Sequence, residues 1–480
     1  MRPPRTATAA ALVAAVLAAP LLTAPQAAAA PAGLSDDFDG DGHRDLVLLG
    51  GTHGKDGRVT VVYGSAKGPA TGRVQLLHQD SPGIPGAVEA GDDWGFAATT
   101  ADLDRDGYAD LAVASPGEDV GAVPDRGGLT VVWGGPKGLG TGTVFHSDVQ
   151  PVNGHGDRYG LDVTSGDFDG DGHPDLVGIS NSPAGALWLK GPFTRTGEHG
   201  GSGRLGDAYG YLSVSELTAG RPAADRPADL HMLGDDLGDD KGPAFSAFVH
   251  QGGPRFAEKP ARVVDTPDDG GGETGGNARS AVADFDADGH LDLAVGRGTE
   301  NTDGGAGSVV VHYGGPKPRT QTITQDTAGV PGAVEKGDLF GGSVAAGDMD
   351  GDGYPDLAAG SPGEDLGKVK DAGAVTVLKG SPAGLTGKGA QAYDQDTAGV
   401  AGAVEANDQF GTGVRLADHT GDGRADLLVD TNEQIDNTRW GMVHLLKGSA
   451  SGITGTGSAH YTVNTLKLAA YEEVGGPFAD

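Results

Sequence analysis

Cysteine is absent from all 480 residues of this chain, which excludes disulfide bonds, thiol catalysis and a lipidated N-terminal cysteine. Positive charge is scarce, with 34 Lys and Arg against 67 Asp and Glu and a formal net charge of −33. Such a surface repels phosphate backbones and anionic lipids, so neither nucleic acid nor membrane is expected as a partner. Aromatic residues make up only 5 % of the chain. Several small cores are therefore expected, each needing modest apolar area, in place of one large core.

Long apolar runs are missing after the N-terminus. Residues 1–29 contain Arg2 and Arg5, then an Ala/Leu/Val stretch that ends in small residues. This pattern predicts a secretory signal peptide cleaved after Ala29, and it is too short for a membrane span. The mature protein is therefore expected to be secreted and extracellular, without membrane insertion.

A nine-residue pattern, D-x-D-x-D-G-x-x-D, occurs in five complete copies. Its aspartates, at positions 1, 3, 5 and 9 of each copy, are Asp37, Asp39, Asp41 and Asp45; Asp102, Asp104, Asp106 and Asp110; Asp167, Asp169, Asp171 and Asp175; Asp284, Asp286, Asp288 and Asp292; Asp348, Asp350, Asp352 and Asp356. Four carboxylates in nine residues repel one another unless a hard cation lies between them, and oxygen ligands favour calcium over zinc or copper. Each copy is thus predicted to be a calcium loop.

Two further copies are incomplete. Asp418, Thr420, Asp422 and Asp426 form a copy with threonine at position 3, which is predicted to be a sixth calcium site. The complete copies begin at intervals of 65, 65, 117 and 64 residues, so the long interval implies a skipped unit. The pair Asp225 and Asp229, which keeps the separation of loop positions 5 and 9, marks the skipped unit. The acidic segment 234–242 in this fourth unit is either a solvated loop of a decayed unit or a local site of its own.

Each unit has the same internal order. An aromatic-glycine pair such as Phe340-Gly341 precedes a short strand, the aspartate loop follows, and three more short strands are separated by Gly and Pro turns. Tyr209-Gly210 is the corresponding pair of the fourth unit. With 87 glycines and no 3.6-residue periodicity, the pattern predicts an all-β protein. Seven units of about 65 residues, with four strands each, are typical of a seven-bladed β-propeller.

The propeller is predicted to span residues 34–480. Its approximate repeats are 34–93, 94–158, 159–208, 209–275, 276–339, 340–409 and 410–465, followed by a closing strand at 466–480. The C-terminal sequence VGGPFAD is similar to FGGSVAAGD at 340–348, and the first unit lacks its leading strand. The C-terminal residues are therefore predicted to supply that strand and close the ring; a frayed tail is the alternative.

The combination of aromatic-glycine pair, aspartate loop and Gly/Pro turn resembles the FG-GAP repeat. This repeat forms the blades of the integrin α-subunit N-terminal propeller and of secreted bacterial integrin-like proteins. The resemblance covers nearly the whole mature chain and implies a calcium-binding propeller with a role in adhesion. The chain departs from the family in its broken fourth loop, and no inserted adhesion domain, membrane anchor or integrin leg domain is recognisable.

The loops are not EF-hands. An EF-hand requires Glu at position 12, where Leu48 and Val113 occur here, inside predicted strands. Histidine or tyrosine at position 7 is expected to contribute its main-chain oxygen. Calcium enclosed by protein oxygens, with no nucleophile beside it, is expected to be structural.

Three functions are compatible with this sequence, and no catalytic residue is identified. The leading hypothesis is a non-catalytic binding or adhesion module for an extracellular protein or glycan. The alternatives are an extracellular hydrolase or lyase with its site on the propeller axis, and a purely structural envelope protein. An enzyme should place several non-repeating polar residues around the axis, whereas repeated turns such as SPGED at 115–119 and 361–365 arise from duplication alone. Lys336-Gly337-Asp338 is similar to an adhesion tripeptide but also fits an ordinary turn.

Overall fold

A computed structural model describes residues 33–50, 57–146, 156–181, 185–205, 212–236, 244–258, 261–265, 279–298, 304–436, 439–468, 474–476, 478 and 479. The predicted signal peptide, the pair Tyr209-Gly210 and residues 237–242 of the acidic segment lie outside these ranges. Within them the chain forms strands and turns and no helix. It follows that no helix of the described part is long and apolar enough to cross a bilayer.

In the described ranges, twenty-seven strands form seven antiparallel sheets, which we number as blades 1 to 7. Blade 1 contains β1 (Leu46–Gly50), β2 (Arg58–Val62) and β3 (Val74–Leu77). Blade 2 contains β4 (Ala98–Ala101), β5 (Asp110–Ser115), β6 (Gly128–Val132) and β7 (Gly142–Phe145). Blade 3 contains β8 (Val163–Gly166), β9 (Asp175–Ile179), β10 (Ala186–Lys190) and β11 (Gly201–Arg204). Blade 4 contains β12 (Leu212–Gly220), β13 (Asp229–Asp236), β14 (Ala244–His250) and β15 (Ala261–Asp265).

Blade 5 contains β16 (Arg279–Ala283), β17 (Asp292–Arg297), β18 (Ser308–Tyr313) and β19 (Arg319–Ile323). Blade 6 contains β20 (Ser343–Gly347), β21 (Asp356–Ser361), β22 (Ala374–Lys379) and β23 (Thr386–Tyr393). Blade 7 contains β24 (Val414–Ala417), β25 (Asp426–Gln434), β26 (Trp440–Lys447) and β27 (Thr454–Tyr461). Strands pair in sequence order within every blade.

The cores lie between neighbouring blades. Strand β21, with the sequence DLAAGS, is buried along its whole length because a blade covers each of its faces. One apolar cluster joins Phe285 and Val309 of the fifth unit to Phe340, Leu357 and Leu378 of the sixth. Small residues in the second strands let adjacent sheets approach closely. Several small cores thus replace a single large one.

The first strands of the blades face one another around an axis. Strand β12 contacts β8 and β16, and the same relation connects β16 to β20, β20 to β24 and β4 to β8. They surround a central channel of ≈ 1560 Å³. The prediction of an all-β, seven-bladed propeller is therefore confirmed.

The C-terminal residues pair with the inner edge of blade 1. Phe478 forms an antiparallel bridge with Leu48 of β1, and Ala479 is buried in the core of the first blade. The Val474 N–H donates to the Trp440 carbonyl at 3.3 Å. Residues 474–476, 478 and 479 thus lie at the innermost edge of blade 1, which closes the ring.

Aromatic-glycine pairs dock the sixth and seventh units onto the preceding blades. The Phe410 N–H donates to the Ala372 carbonyl, and the Phe340 N–H donates to the Ala306 carbonyl, each at 2.9 Å. Both acceptors lie just before the third strand of the preceding blade. Val474 makes the equivalent bond to blade 7, so it takes the aromatic position of blade 1 and explains the similarity between the C-terminal sequence and FGGSVAAGD.

Candidate metal centre

The aspartate loops all precede the second strand of a blade, so they lie together on one face of the propeller. In each of the five complete loops, three aspartates offer one oxygen each within 4.8 Å of one another. The sets are Asp37, Asp39 and Asp41; Asp102, Asp104 and Asp110; Asp167, Asp169 and Asp175; Asp284, Asp286 and Asp292; Asp348, Asp350 and Asp356. Each set contains aspartates only. All the predicted complete loops therefore bring carboxylates together.

The position 1 aspartate shapes the loop. In blade 6, Asp348 Oδ1 accepts from the backbone N–H groups of Gly351 at 2.8 Å and Asp352 at 3.2 Å, while Oδ2 accepts from Gly353 at 2.9 Å. Gly353 has a φ of 89°, in the region that favours glycine. The glycine at position 6 thus allows the turn that wraps backbone donors around one carboxylate.

The position 9 aspartate connects the loop to the third strand. Asp356, 1 % exposed, accepts from the Met349 N–H at 3.2 Å through Oδ2 and from the Gly380 N–H at 2.9 Å through Oδ1. The same pair of bonds is made by Asp45, Asp110, Asp175 and Asp292. This aspartate therefore has a structural role in addition to any metal ligation.

Burial raises the pKa of the position 9 carboxyls. Desolvation is the largest cause, the backbone hydrogen bonds oppose it, and neighbouring aspartates add to it. The pKa reaches about 7 for Asp45, Asp175, Asp292 and Asp356 and about 8 for Asp110. Ionisation of the position 9 carboxyl is therefore unfavourable unless positive charge lies close to it.

The incomplete loops differ. In the seventh, the Thr420 N–H donates to Asp426 Oδ2 at 2.9 Å, and Asp418 keeps its bonds to the loop backbone, yet no set of three acidic groups converges there among the described residues. In the fourth, Asp229 still accepts from the Gly252 N–H at 2.7 Å, whereas Asp225 is exposed. The sixth predicted site stays a prediction.

Among the described residues, no histidine side chain belongs to the five carboxylate clusters. His43, His173 and His290 donate their backbone N–H to the position 5 carboxylates at 2.9 to 3.0 Å. The donor set of the five clusters consists of carboxylate oxygens, which are hard ligands that fit calcium and do not favour zinc or copper. The residues present therefore fit the ion implied by the loop sequence.

Neighbouring loops are joined through their backbones. The Ala109 N–H donates to the Asp37 carbonyl at 3.0 Å, Ala228 to Asp167 at 2.9 Å, and Ala425 to Asp348 at 2.8 Å. Position 8 in blades 3 and 6 is Pro174 and Pro355, which have no N–H to donate. Three pairs of neighbouring loops are thus joined by a backbone hydrogen bond.

Basic side chains beside the loops were not predicted from the sequence. Arg195 lies 2.6 Å from both Asp104 and Asp106, and Lys190 forms an ion pair with Asp169. The hydrogen bond to Asp169 raises the pKa of Lys190. These cations lie outside the nine-residue motif. Lys190 and its counterpart in blade 6, Lys379, leave one sequence signal, a Lys-Gly pair at the end of the third strand.

The channel wall contains polar groups that are not repeated between blades. Glu216 Oε1 accepts from the Ser280 N–H at 2.6 Å and from its hydroxyl at 3.1 Å, and Arg279 lies 4.0 Å from Glu216 Oε2. The Glu216 side chain is 13 % exposed, and burial raises its pKa to about 8. Arg415 also lines the channel. Sequence reasoning missed them because they belong to no motif.

The turns of the opposite face connect blades. Gln325 Nε2 donates to Glu364 Oε2 of the SPGED turn at 2.6 Å, and Gln79 donates to Glu118 of the other such turn at 2.7 Å. Asp338 of the predicted adhesion-like tripeptide is only 2 % exposed. Its Oδ2 accepts from the Glu335 N–H at 2.7 Å, whereas Lys336 is exposed, so the tripeptide forms an ordinary turn with a buried aspartate.

Comparison with known proteins identifies the repeats. Residues 94–144, 276–312 and 340–378 match the FG-GAP repeat, and residues 37–113 match the FG-GAP-like repeat. The chain is 30 % identical over 234 residues to integrin alpha-PS5 of Drosophila melanogaster, covering 44 % of this chain and 21 % of that protein. It is 30 % identical over 159 residues to phosphatidylinositol-glycan-specific phospholipase D of Rattus norvegicus, covering 32 % and 18 %. The matched part thus spans about a fifth of each relative.

A solved structure of similar extent is the periplasmic gluconolactonase of Pseudomonas aeruginosa. It aligns over 91 % of this chain and 98 % of that chain, with 16 % sequence identity and a TM-score of 0.44.

Proposed function

Because the chain carries FG-GAP repeats, we propose that it is a secreted calcium-binding propeller, a non-catalytic binding or adhesion module for an extracellular protein or glycan. The observation that carries the proposal is the set of five loops on one face, each with three aspartate oxygens within 4.8 Å of one another. The signal-like N-terminus and the similarity to an integrin α-subunit support an extracellular location.

The loop aspartates would hold the ions. Positions 1 and 3 contribute to every cluster, with position 5 in blade 1 and position 9 in blades 2, 3, 5 and 6. Bound calcium supplies positive charge that offsets carboxylate repulsion. At ten times its Kd, one ion stabilises the fold by about 1.4 kcal/mol, so five ions contribute about 7 kcal/mol. Calcium thus takes the stabilising role that disulfides have in other secreted proteins.

The calcium part of the proposal is tested by calorimetric titration of the full chain. We expect five sites, or six if the seventh loop also binds. Asp350→Asn should remove one site, because it deletes a carboxylate that belongs to the blade 6 cluster. Asp225→Asn is the matched control, since Asp225 belongs to no cluster. Zero or one site in the unmodified protein would contradict the proposal.

The binding part is tested with arrays of extracellular matrix proteins and glycans, probed with calcium-loaded protein. A specific ligand that is retained in calcium and lost in chelator is the expected result. The binding role would be contradicted if the protein retained no matrix protein or glycan. Turnover of a polymer in the same experiment would indicate an enzymatic role instead.

The second candidate is an extracellular hydrolase or lyase with its site on the propeller axis. It is favoured by Glu216, Arg279 and Arg415, which line the channel and are not copied from blade to blade. A carboxyl with a pKa of about 8 keeps its proton near neutral pH and could donate it to a leaving group. The test is assay of extracellular polysaccharides with the unmodified protein and with Glu216→Gln. Turnover that Glu216→Gln abolishes supports this candidate, and no turnover by the unmodified protein contradicts it.

A further inference from the structure

We infer that the complete calcium loops carry built-in counter-ions, Lys or Arg side chains that compete with calcium for the loop carboxylates and set the affinity of each loop. The inference rests on the proposed calcium binding and adds a determinant of calcium affinity that lies outside the nine-residue motif. We call these side chains the loop counter-ions. They are Arg73, Lys190, Arg195, Arg319 and Lys379.

Every loop counter-ion contacts the position 3 aspartate of a complete loop. Lys379 pairs with Asp350, and Arg319 lies 3.0 Å from Asp286. The remaining three pair with Asp39, Asp104 and Asp169. Each of the five carboxylate clusters contains one of these position 3 aspartates. The cation and a bound metal would therefore share the same carboxylate.

The contact leaves the loop backbone intact. Asp350 Oδ2 receives the Lys379 ammonium, whereas Oδ1 accepts from the Asp352 N–H at 3.2 Å. In blade 2, Arg195 engages Oδ2 of Asp104 and Oδ2 of Asp106, each at 2.6 Å. The counter-ion thus bonds to the oxygen that the loop itself does not use, and it partly neutralises the loop without unfolding it.

Two different side-chain arrangements deliver the cation. In blades 3 and 6 it is a lysine that ends the third strand, Lys190 or Lys379. In the others, an aromatic ring stands at this place and an arginine lies over it. The arginine carbon is 4.2 Å from the Tyr63 ring centre for Arg73, 5.5 Å from Trp133 for Arg195 and 3.3 Å from Tyr313 for Arg319. Cation–π contact holds these arginines in position.

The seventh loop provides a natural comparison. Lys447 ends β26 and precedes Gly448, just as Lys379 ends β22 and precedes Gly380. Position 3 is Thr420 there, so the carboxylate that Lys379 contacts in blade 6 is missing, and no ion pair of Lys447 occurs in the described part of the chain. The same lysine is thus present in two settings that differ in one ligand.

Coulomb's law gives the size of the effect. A unit charge about 5 Å from a divalent ion in a water-exposed site repels it enough to weaken binding roughly tenfold. The loops are partly exposed, so salt reduces this repulsion without removing it.

The test is titration with a calibrated competing chelator, which gives the product of the calcium binding constants. Lys379→Met keeps the aliphatic stem and removes the charge, so the product should rise roughly tenfold. Lys447→Met is the matched control. It should leave the product of the binding constants within about twofold of the unmodified protein, because that lysine pairs with no loop carboxylate. Lys379→Arg retains the cation and should behave as the unmodified protein. Arg319→Met is a second variant, with the same expected rise in blade 5.

Melting in chelator gives an independent readout. Lys379→Met should melt at a lower temperature than Lys447→Met, because the metal-free blade 6 loop loses its neutralising charge. The inference is overturned if Lys379→Met and Arg319→Met bind calcium as the unmodified protein does, or if Lys447→Met tightens binding equally. Failure of the unmodified protein to bind calcium would instead overturn the proposed function.

Discussion

At the scale of single residues, aspartates of one motif have different tasks. Asp356 lies at position 9, buried, with both oxygens bonded to backbone N–H groups. Asp352 lies at position 5, exposed, and accepts from the Tyr354 N–H at 3.0 Å. A buried acceptor that is removed leaves its donors unsatisfied, whereas an exposed one is replaced by water. The motif therefore combines structural and ligating carboxylates.

Replacing Asp356 should destabilise the protein even without calcium. Asp356→Ala leaves the N–H groups of Met349 and Gly380 without acceptors and should lower the free energy of unfolding in chelator by about 3 kcal/mol. Asp352→Ala is the control and should cost less than about 1 kcal/mol. Urea denaturation in chelator measures both variants. Equal stability of the two would show that position 9 serves the metal alone.

Glu216 should make stability depend on pH. Its pKa is raised from 4.5 to about 8 in the folded protein, so the folded state keeps a proton that the unfolded state releases. The stability of the unmodified protein therefore falls as pH rises through this interval. Glu216→Gln removes the ionisation, so its stability relative to the unmodified protein should increase by about 3 kcal/mol between pH 5 and 8.

Denaturation curves of the two proteins at several pH values give this difference, with calcium held constant. A difference that stays flat, or changes in the opposite direction, would mean that Glu216 ionises normally in the channel.

At the scale of elements, the C-terminal strand replaces an aromatic-glycine strand with a different sequence. Val474 stands where Phe340 and Phe410 stand in their blades, and its N–H makes the equivalent bond to the preceding blade. Gly441 lies against it, since a Cβ at Gly441 would come within 1.7 Å of the Val474 carbonyl oxygen. Glycine at this place therefore permits the strand to dock.

Gly441→Ala should detach the closing strand. Gly441 has a φ of 86°, and Gly457 has a φ of 78° with no atom nearer than 3.9 Å to an added Cβ. Gly457→Ala therefore controls for backbone strain and should lower the free energy of unfolding by about 1 kcal/mol. Gly441→Ala should lower it by more than about 3 kcal/mol, because the contact with the Val474 backbone is lost as well. Thermal melting and limited proteolysis of the C-terminal residues measure the two. Equal losses would argue against docking through Gly441.

The sequence was sufficient for elements with a repeated signal. The aspartate loops and the strand order each leave a repeated pattern, and the structure has converging carboxylates in five loops and four-stranded sheets in six of the seven blades. Arg195 was missed because it is 91 residues from Asp104 in sequence, and the other counter-ions were missed because they lie outside the nine-residue motif. The Glu216–Arg279 pair was missed because it occurs once. Contacts between blades are invisible to a motif search unless they are repeated.

At the scale of the whole molecule, the net charge of −33 has an ordered distribution. Twenty aspartates belong to the five complete loops, and these loops lie on one face. The carboxylates of neighbouring loops add their repulsion to that inside each loop, and calcium or salt relieves both. Stability should therefore depend on ions more than for a protein of neutral charge.

Salt should stabilise the chelator-treated protein more than the calcium-loaded one. Raising sodium chloride from about 0.1 M to 1 M shortens the Debye length from about 10 Å to 3 Å, which reduces repulsion among the loop carboxylates. The melting temperature in chelator should rise by about 1 °C for each 1 kcal/mol of relieved repulsion, and change less in calcium. Differential scanning calorimetry measures it. An equal rise in both conditions would point to a general salt effect.

Pairing between Leu48 and Phe478 has a consequence for synthesis on the ribosome. Blades 2 to 7 are built from contiguous stretches and can form as they emerge, but the first blade must wait for a segment made some 430 residues later. Until then its inner edge exposes unpaired N–H and C=O groups, which favour association with other nascent chains. Completion of the propeller is therefore expected to be the slowest step of its maturation.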